Sequence, residues 1–300
     1  MALSKLSGDQ HRSVFGQLCN KLDPRLAVYL SSASQELREP TQALLPQLRA
    51  DHEAAAALCL EMGLQSCKEL REAKRVDCRQ KFLSAADLGL LGTLGLLLPA
   101  LETLILDEPT AGPDGVQRLA VGLGAGALPA VTELQLMNMH VGDAGASALA
   151  AALGRGALPR LRSLLLDNVN ISDAGLVALA PVLRRLPTLE ILRLEHNPFG
   201  DKGLAALVAP PPPAAGAPGG LKQLKMLFLV CNQVTETGCA TLAAALDSGS
   251  LPALKTLRLH DNLASAAAQA ECVRQATMRS RADFRADVPF VLVPPDTLRS

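Results

Sequence analysis

Three hundred residues with 49% hydrophobic content can bury a sizeable core, but only 2% are aromatic, with no Trp and the single Tyr29, so that core must be built of Leu, Ala and Val. Lysines and arginines together number 29, as do aspartates and glutamates, which excludes a global field drawing the chain to nucleic acid or to an anionic membrane; partner choice must be local. The seven cysteines, an odd number with no CxxC pair, read as reduced thiols, and the opening residues lack the apolar core of a signal peptide, so a cytoplasmic or nuclear setting is expected.

In chain order, residues 1–66 carry no repeat and read as helices over 14–22, 24–37 and 41–60. A degenerate unit follows, with Val76 and Cys78 at inward strand positions and Leu83, Leu88, Leu91 and Leu94 at helical spacing. The apolar run 88–106 approaches the length of a membrane span, but Pro99 and Glu102 interrupt it, and the register divides it into a helix end and the next strand.

Leu98, Leu128, Leu158, Leu186, Leu221 and Leu251 recur at intervals of 30, 30, 28, 35 and 30 residues, and each opens the same pattern. The clearest unit places Leu189, Leu192, Leu194, Asn197, Phe199, Asp201 and Gly203 at offsets repeated by Leu224, Leu227, Leu229, Asn232, Val234, Glu236 and Gly238. Leu161, Leu164, Leu166, Ile171, Asp173 and Gly175 form a third unit, and Val131, Leu134, Leu136, Val141, Asp143 and Gly145 a fourth. The LxxLxL stretch is a short strand with alternate leucines inward, so each unit adds one strand to a parallel sheet. Asp-x-Gly then opens a helix, with Asp143, Asp173 and Asp201 placed to cap its free N–H groups. Gly115 keeps an earlier unit in register although Pro109 and Pro113 distort its loop.

The 35-residue step contains the Pro-, Ala- and Gly-rich insertion 210–220, an extended surface loop that is either tolerated or a docking segment for an SH3- or WW-like partner. Beyond a repeat region of six to seven units over 67–264, residues 265–300 complete a helix over 264–278 and end in a tail containing VPFVLVPP, expected to cover the open end of the core.

These repeats resemble the leucine-rich-repeat family, and a full helix in each unit is similar to its ribonuclease-inhibitor-like intracellular subclass; the likeness covers roughly residues 70–262. It implies an α/β horseshoe, a right-handed strand–helix solenoid with a parallel sheet on the concave face and an N-terminal helical cap. It also implies that Asn197, Asn232 and Asn262 bury their amides in the turn after the strand; Pro109, Met139 and Val169 depart from this and point to a less regular first half. Residues 13–40 resemble an F-box, the helical module that hooks such receptors to a ubiquitin-ligase adaptor, through Leu18, Leu22, Pro24, Leu26, Leu30, Ser34 and Leu37, but without its opening Leu-Pro or a Trp. A plain helical cap is the other reading of the same residues.

No HExxH, GxSxG, Walker loop or metal-spaced Cys or His pair is present. The Gly122, Gly124 and Gly126 run follows a helix and precedes a strand, the reverse of a dinucleotide loop, and the five histidines are scattered. No enzymatic activity, cofactor or metal is expected.

What remains is the inner face of the sheet, formed by residues alternating with the buried leucines. By register these are Thr103, Ile105 and Asp107; Glu133, Gln135 and Met137; Ser163, Leu165 and Asp167; Ile191, Arg193 and Glu195; Met226, Phe228 and Val230; and Thr256, Arg258 and His260. Met226, Phe228 and Val230 make an apolar row with Arg193, Glu195, Arg258 and His260 as a polar rim, which points to a protein-binding centre anchored on Phe228. Residues 288–293 are the other candidate to cover this strip. The expected function is non-enzymatic binding of a partner protein on the concave face. The alternatives are an F-box-like substrate receptor and a regulator of a nuclease or small GTPase, the charge balance speaking against an acidic nuclease inhibitor.

Overall fold

The computed structural model describes residues 20–25, 28–29, 32, 35–209 and 221–282, without the side chains of 35–44 and 279–282. The proposed points of F-box likeness other than Leu22, Pro24 and the backbone of Leu37, the insertion 210–220 and the tail 283–300 therefore lie outside the described residues. Helix α1 (Gln35–Glu61) and the short α2 (Cys67–Glu72) lead into a regular alternation: β1 (Arg75–Arg79), α3 (Ala85–Leu94), β2 (Thr103–Asp107), α4 (Gly115–Gly122), β3 (Glu133–Leu136) and α5 (Gly142–Gly154). It continues with β4 (Ser163–Leu165), α6 (Asp173–Leu183), β5 (Ile191–Arg193), α7 (Asp201–Val208), β6 (Met226–Phe228), α8 (Glu236–Asp247), β7 (Thr256–Arg258) and α9 (Ala266–Ala282).

The seven strands form one parallel sheet in sequence order, each paired with the next at a constant register. Each crossover passes through a helix on the same side, the right-handed arrangement that a twisted strand feeding a helix requires. Strand neighbours sit about 4.8 Å apart and packed helices about 8–10 Å, so the array bends with its sheet inside, an α/β leucine-rich-repeat horseshoe. One core runs its length, from Leu22, Ala55, Leu58 and Leu70 under the C-terminal half of α1 to Cys272 and Ala276 on α9.

The apolar run 88–106 divides as its register requires, into the end of α3, a 3-10 turn at Gly95–Leu97 and β2. Among the described residues, no helix is long and apolar enough to cross a membrane. Three boundaries differ from the expected ones. The break between 37 and 41 is absent: α1 runs through Pro40, which lies early in the helix, where its ring removes one backbone hydrogen bond. Residues 20–23 form a turn in which Leu22 N–H donates to Asn20 Oδ1 (2.7 Å), so Leu22 does not close a helix. At the other end α9 starts two residues later than expected, because Ala264 N–H is engaged by the Val234 carbonyl (2.9 Å) and Ser265 N–H by Glu236 (2.8 Å).

Six of the seven strands end in the same tight turn; after β2, Glu108 has φ −128° instead. Gln80, Asn138, Asn168, His196, Cys231 and Asp261, each two residues after the last inward strand residue, hold φ between 52° and 58°. Asn and Asp tolerate this left-handed conformation best. The turn exposes inward N–H groups, and the next repeat satisfies them. Asn197 Oδ1 accepts from Ile171 N–H (3.0 Å) and Val169 N–H (3.3 Å), while its Nδ2 donates to the Leu166 and Glu195 carbonyls (2.8 and 3.0 Å). Asn232 Oδ1 accepts from Asn197 N–H (2.9 Å), and Asn262 Oδ1 from Val234 N–H (3.0 Å). The first half, where Met139 and Val169 are buried instead, has its own solution at one interval: the Glu108 carboxylate accepts from Lys81 and Leu83 N–H (2.8 and 3.1 Å), the positions in β1's turn that match Val169 and Ile171. Burial pushes the Glu108 carboxyl above its ordinary range, opposed by these N–H bonds.

The aspartates of Asp-x-Gly do not cap their own helices as expected; they cap the next one. Asp143 Oδ1 accepts from Ser172 and Gly175 N–H (2.9 and 3.0 Å), and Asp173 Oδ1 from Gly200 and Gly203 N–H (2.8 and 2.7 Å). Asp201 repeats the contact on Thr235 N–H (2.8 Å) and Thr235 Oγ1 (2.6 Å). Own-helix caps come from Ser172 on α6 and Thr235 on α8. The glycine of the motif is required by this arrangement: a Cβ on Gly175, Gly203 or Gly238 would lie 2.5, 2.8 or 2.3 Å from the preceding repeat's aspartate oxygen. Stacked helices, offset by one layer, bring each first turn beneath the previous one, so the negative group meets the neighbour's N-terminus. At the opposite helix ends Arg155 donates to the Ala120 and Leu123 carbonyls of the preceding layer (3.0 and 3.1 Å), as a cation at a helix C-terminus should.

Candidate functional site

The register lays the inner-face residues in three lateral rows. The middle row runs Asp77, Ile105, Gln135, Leu165, Arg193, Phe228 and Arg258. Another runs Arg75, Thr103, Glu133, Ser163, Ile191, Met226 and Thr256. The third, at the strand ends, carries Asp107, Met137, Asp167, Glu195, Val230 and His260, the positions that follow each strand's middle-row residue by two. The alternation thus brings all the named inner-face residues onto one side of the sheet.

Their exposure differs from that expected of an open strip. Ile105, Leu165, Asp167, Phe228 and Val230 are buried, whereas Asp107, Gln135, Met137, Arg193, Glu195, Met226 and Arg258 are half-buried and His260 is exposed. The cause is the close spacing of the rows: long side chains on neighbouring strands lie over the apolar ones. Phe228 is the clearest case, 9% exposed, with the Arg193 guanidinium 5.7 Å and the Arg258 guanidinium 5.4 Å from its ring centroid. A cation over an aromatic ring is worth about 0.5–2 kcal/mol depending on desolvation, so Phe228 holds the two arginines as much as they cover it.

Arg193 is also the hub of a charge cluster. Its Nη2 donates to Glu195 Oε2 (2.9 Å) and lies 3.1 Å from Asp167 Oδ2, while Asp167 Oδ1 accepts from Glu195 N–H (3.1 Å). Burial lifts the Asp167 carboxyl above its ordinary range, with Arg193 pulling the other way. The Asp167–Arg193 contact is an ion pair without hydrogen-bond alignment: Asp167 Oδ2 and Arg193 Nε are buried and have no hydrogen-bond partner among the described residues. Leaving such atoms unpaired costs about 1–3 kcal/mol each.

Towards the N-terminal strands the face is more fully satisfied. Gln135 donates to Glu133, and a chain of amides runs across the turns from Asn168 to Asn138 (3.0 Å) and from Asn138 to Asp107 (3.0 Å). Asn138 and Asn168 were not singled out from the sequence; the signal that would have found them is their shared place in the left-handed turn, one residue after Met137 and Asp167. Arg75, Asp77 and Arg79 of β1 form a further exposed cluster, with Arg79 donating to Asp77 (2.8 Å) and holding its carboxyl below the usual range. At the far end the face opens into a groove of about 680 Å³ lined by Leu257, Arg258, Leu259, His260, Ala266, Gln269, Ala270, Val273 and Arg274. No group of three or more His, Cys, Asp or Glu among the described residues is arranged to hold a metal ion.

Residues 185–208 match a family model described as a leucine rich repeat. No curated protein sequence matches the chain. Among solved structures, an internalin (InlF) of Listeria monocytogenes is 17% identical with a TM-score of 0.37, covering 67% of this chain and 51% of its own, so that this chain spans about half of that internalin. Internalin C2 of the same organism is 20% identical with a TM-score of 0.40, covering 71% of this chain and 84% of its own. A structure of leiomodin-1 actin-binding site 2 is 13% identical with a TM-score of 0.34, covering 77% of this chain and 89% of its own. At such scores these neighbours carry no argument. The sheet order and the constant register define a leucine-rich-repeat fold, and the matched residues fall on one of its units.

Proposed function

We propose that this chain is a non-enzymatic protein-interaction module that binds a partner protein on the concave face, centred on Phe228, Arg193 and Arg258. The observation that carries this reading is the arginine-clamped Phe228 ring, beside which Asp167 Oδ2 and Arg193 Nε are buried without a hydrogen bond, Asp167 Oδ2 being held only by its ion pair to Arg193. Aromatic and arginine side chains with desolvated polar groups are the makings of a binding hot spot, because a partner that supplies the missing donor and acceptor recovers the cost of burying them. A parallel sheet bent inward presents seven strands' worth of side chains to one partner, which suits a protein surface better than a small molecule.

The ribonuclease-inhibitor-like subclass belongs to the same reading, supported by the helices of 11 to 13 residues at α5, α6 and α8. So does a cytoplasmic or nuclear setting, supported by the six described cysteines being free thiols. Nothing in the described residues favours the F-box-like receptor or the nuclease or GTPase regulator over this reading.

The test is affinity capture with wild-type chain, Arg258→Glu, Phe228→Asp and the convex-face control Val121→Asp, whose side chain is 71% exposed. A protein retained by wild type and by the control, and lost by both concave variants while their circular dichroism is unchanged, is the expected result. Retention by both concave variants would sink the reading.

A further inference from the structure

The sheet is open at β7: it is the last strand in the order, and the edge away from β6 pairs with no described strand. The groove of about 680 Å³ lies on that edge, floored by Leu257, Leu259, Ala266, Ala270 and Val273. The core beneath it is incompletely covered, Leu254 and Leu257 being 4% and 6% exposed where their equivalents Leu224 and Leu227 are 0%. An open edge with an apolar floor is a template for one more strand.

The sequence after α9 contains that strand's pattern. Val288, Val291 and Val293 reproduce the LxxLxL offsets met by Leu254, Leu257 and Leu259. The step from Leu257 to Val291 is 34 residues, inside the 28–35 span of the earlier intervals. We propose that residues 288–293 of this chain dock in the groove as an eighth parallel strand, with Val291 and Val293 entering the core and Phe290 and Leu292 joining the concave face beside Thr256 and Arg258.

The backbone pairing follows from the existing register. Leu229 N–H donates to the Arg258 carbonyl (2.8 Å) and Thr256 N–H to the Lys225 carbonyl (3.0 Å). One layer on, Leu259 N–H donates to the Leu292 carbonyl and Phe290 N–H to the Lys255 carbonyl. Pro289 stands at the Lys255 position, whose N–H shares the Lys225 carbonyl with Thr256, so one layer on the Lys255 carbonyl loses that second donor and is still served by Phe290. Asp287 precedes the strand on the side of a groove that carries Arg258 and His260.

The experiment is hydrogen exchange on the full chain, wild type and Val291→Asp, with Val291→Leu as the conservative variant. In wild type the amides of Leu257, Leu259, Phe290 and Leu292 are expected to be protected together, and in Val291→Asp to exchange at least about tenfold faster while the β4 and β5 amides are unchanged. Wild-type tail amides exchanging at unprotected rates, or β7 amides unaffected by Val291→Asp, would overturn the proposal. Protection that rises with protein concentration would place a second copy's tail in the groove and overturn it equally.

Discussion

Glu108 is a carboxylate doing the work of an amide. Its folded pKa lies above the ordinary carboxylate value because burial disfavours its charge, so between the two values the folded state binds more protons than the unfolded. Its contribution to stability is therefore fully present below the ordinary carboxylate pKa and declines as pH rises from there through the raised value. Glu108→Gln should abolish this slope, and at neutral pH should cost no more than about 1–2 kcal/mol, since one of two accepted N–H bonds is kept. Urea midpoints of both proteins from pH 4 to 8 check the sign: a wild-type advantage that grows with pH contradicts it. Asn197 has no such latitude. Asn197→Ala strands the Val169 and Ile171 N–H groups and the Leu166 carbonyl, while the Glu195 carbonyl keeps its bond from Asn168 N–H, and should cost about 3 kcal/mol by the same measurement. Cysteine reactivity also separates by site, since the half-buried Cys231 stands apart from Cys78, whose thiol burial pushes up to about 12. Among the described cysteines, iodoacetamide on the native protein should label Cys231 first, which peptide mapping reads directly.

At the scale of the element, the motif Asp-x-Gly links helices more than it starts them. Gly238→Ala drives a methyl to within 2.3 Å of Asp201 Oδ1 and 2.6 Å of Val234 Cγ1, both held by other contacts, and should destabilise by about 2–3 kcal/mol. Gly154→Ala, at the end of α5 with nothing within 4 Å of the added carbon, should be neutral or stabilising by up to about 1 kcal/mol. Thermal or urea denaturation of the two variants separates a packing requirement from mere helix propensity. Equal effects would mean that the aspartate contact is not what selects glycine. The offsets were visible in the sequence; the direction of the aspartate's reach was not, because a cap and a neighbour's cap have the same spacing within one repeat.

For the whole molecule, stability is a sum over layers and the interfaces between them. Leu192→Ala in β5 opens a cavity between two neighbouring layers and should cost about 3–4 kcal/mol; Leu257, 6% exposed against the described residues, should approach that cost on truncation only if residues 288–293 cover it. A Leu257 variant as costly as the Leu192 one in urea unfolding agrees with a docked eighth strand, and a clearly cheaper one speaks for an uncovered edge.

Much of the architecture was legible without coordinates. A period near 30 residues with leucines at fixed offsets determined a stack of strands and helices, because alternation along a strand admits only one face to a core and a fixed period repeats that choice. The same alternation put Phe228, Arg193 and Arg258 on one surface. What only the tertiary structure decided lies between repeats: that Phe228 is closed over by two arginines, that Asp167 Oδ2 and Arg193 Nε are buried without a hydrogen bond, and that Glu108 replaces the missing asparagine in the first turn. These contacts join residues 25 to 35 positions apart, where the alignment of a donor with its acceptor decides between a hydrogen bond and a bare ion pair.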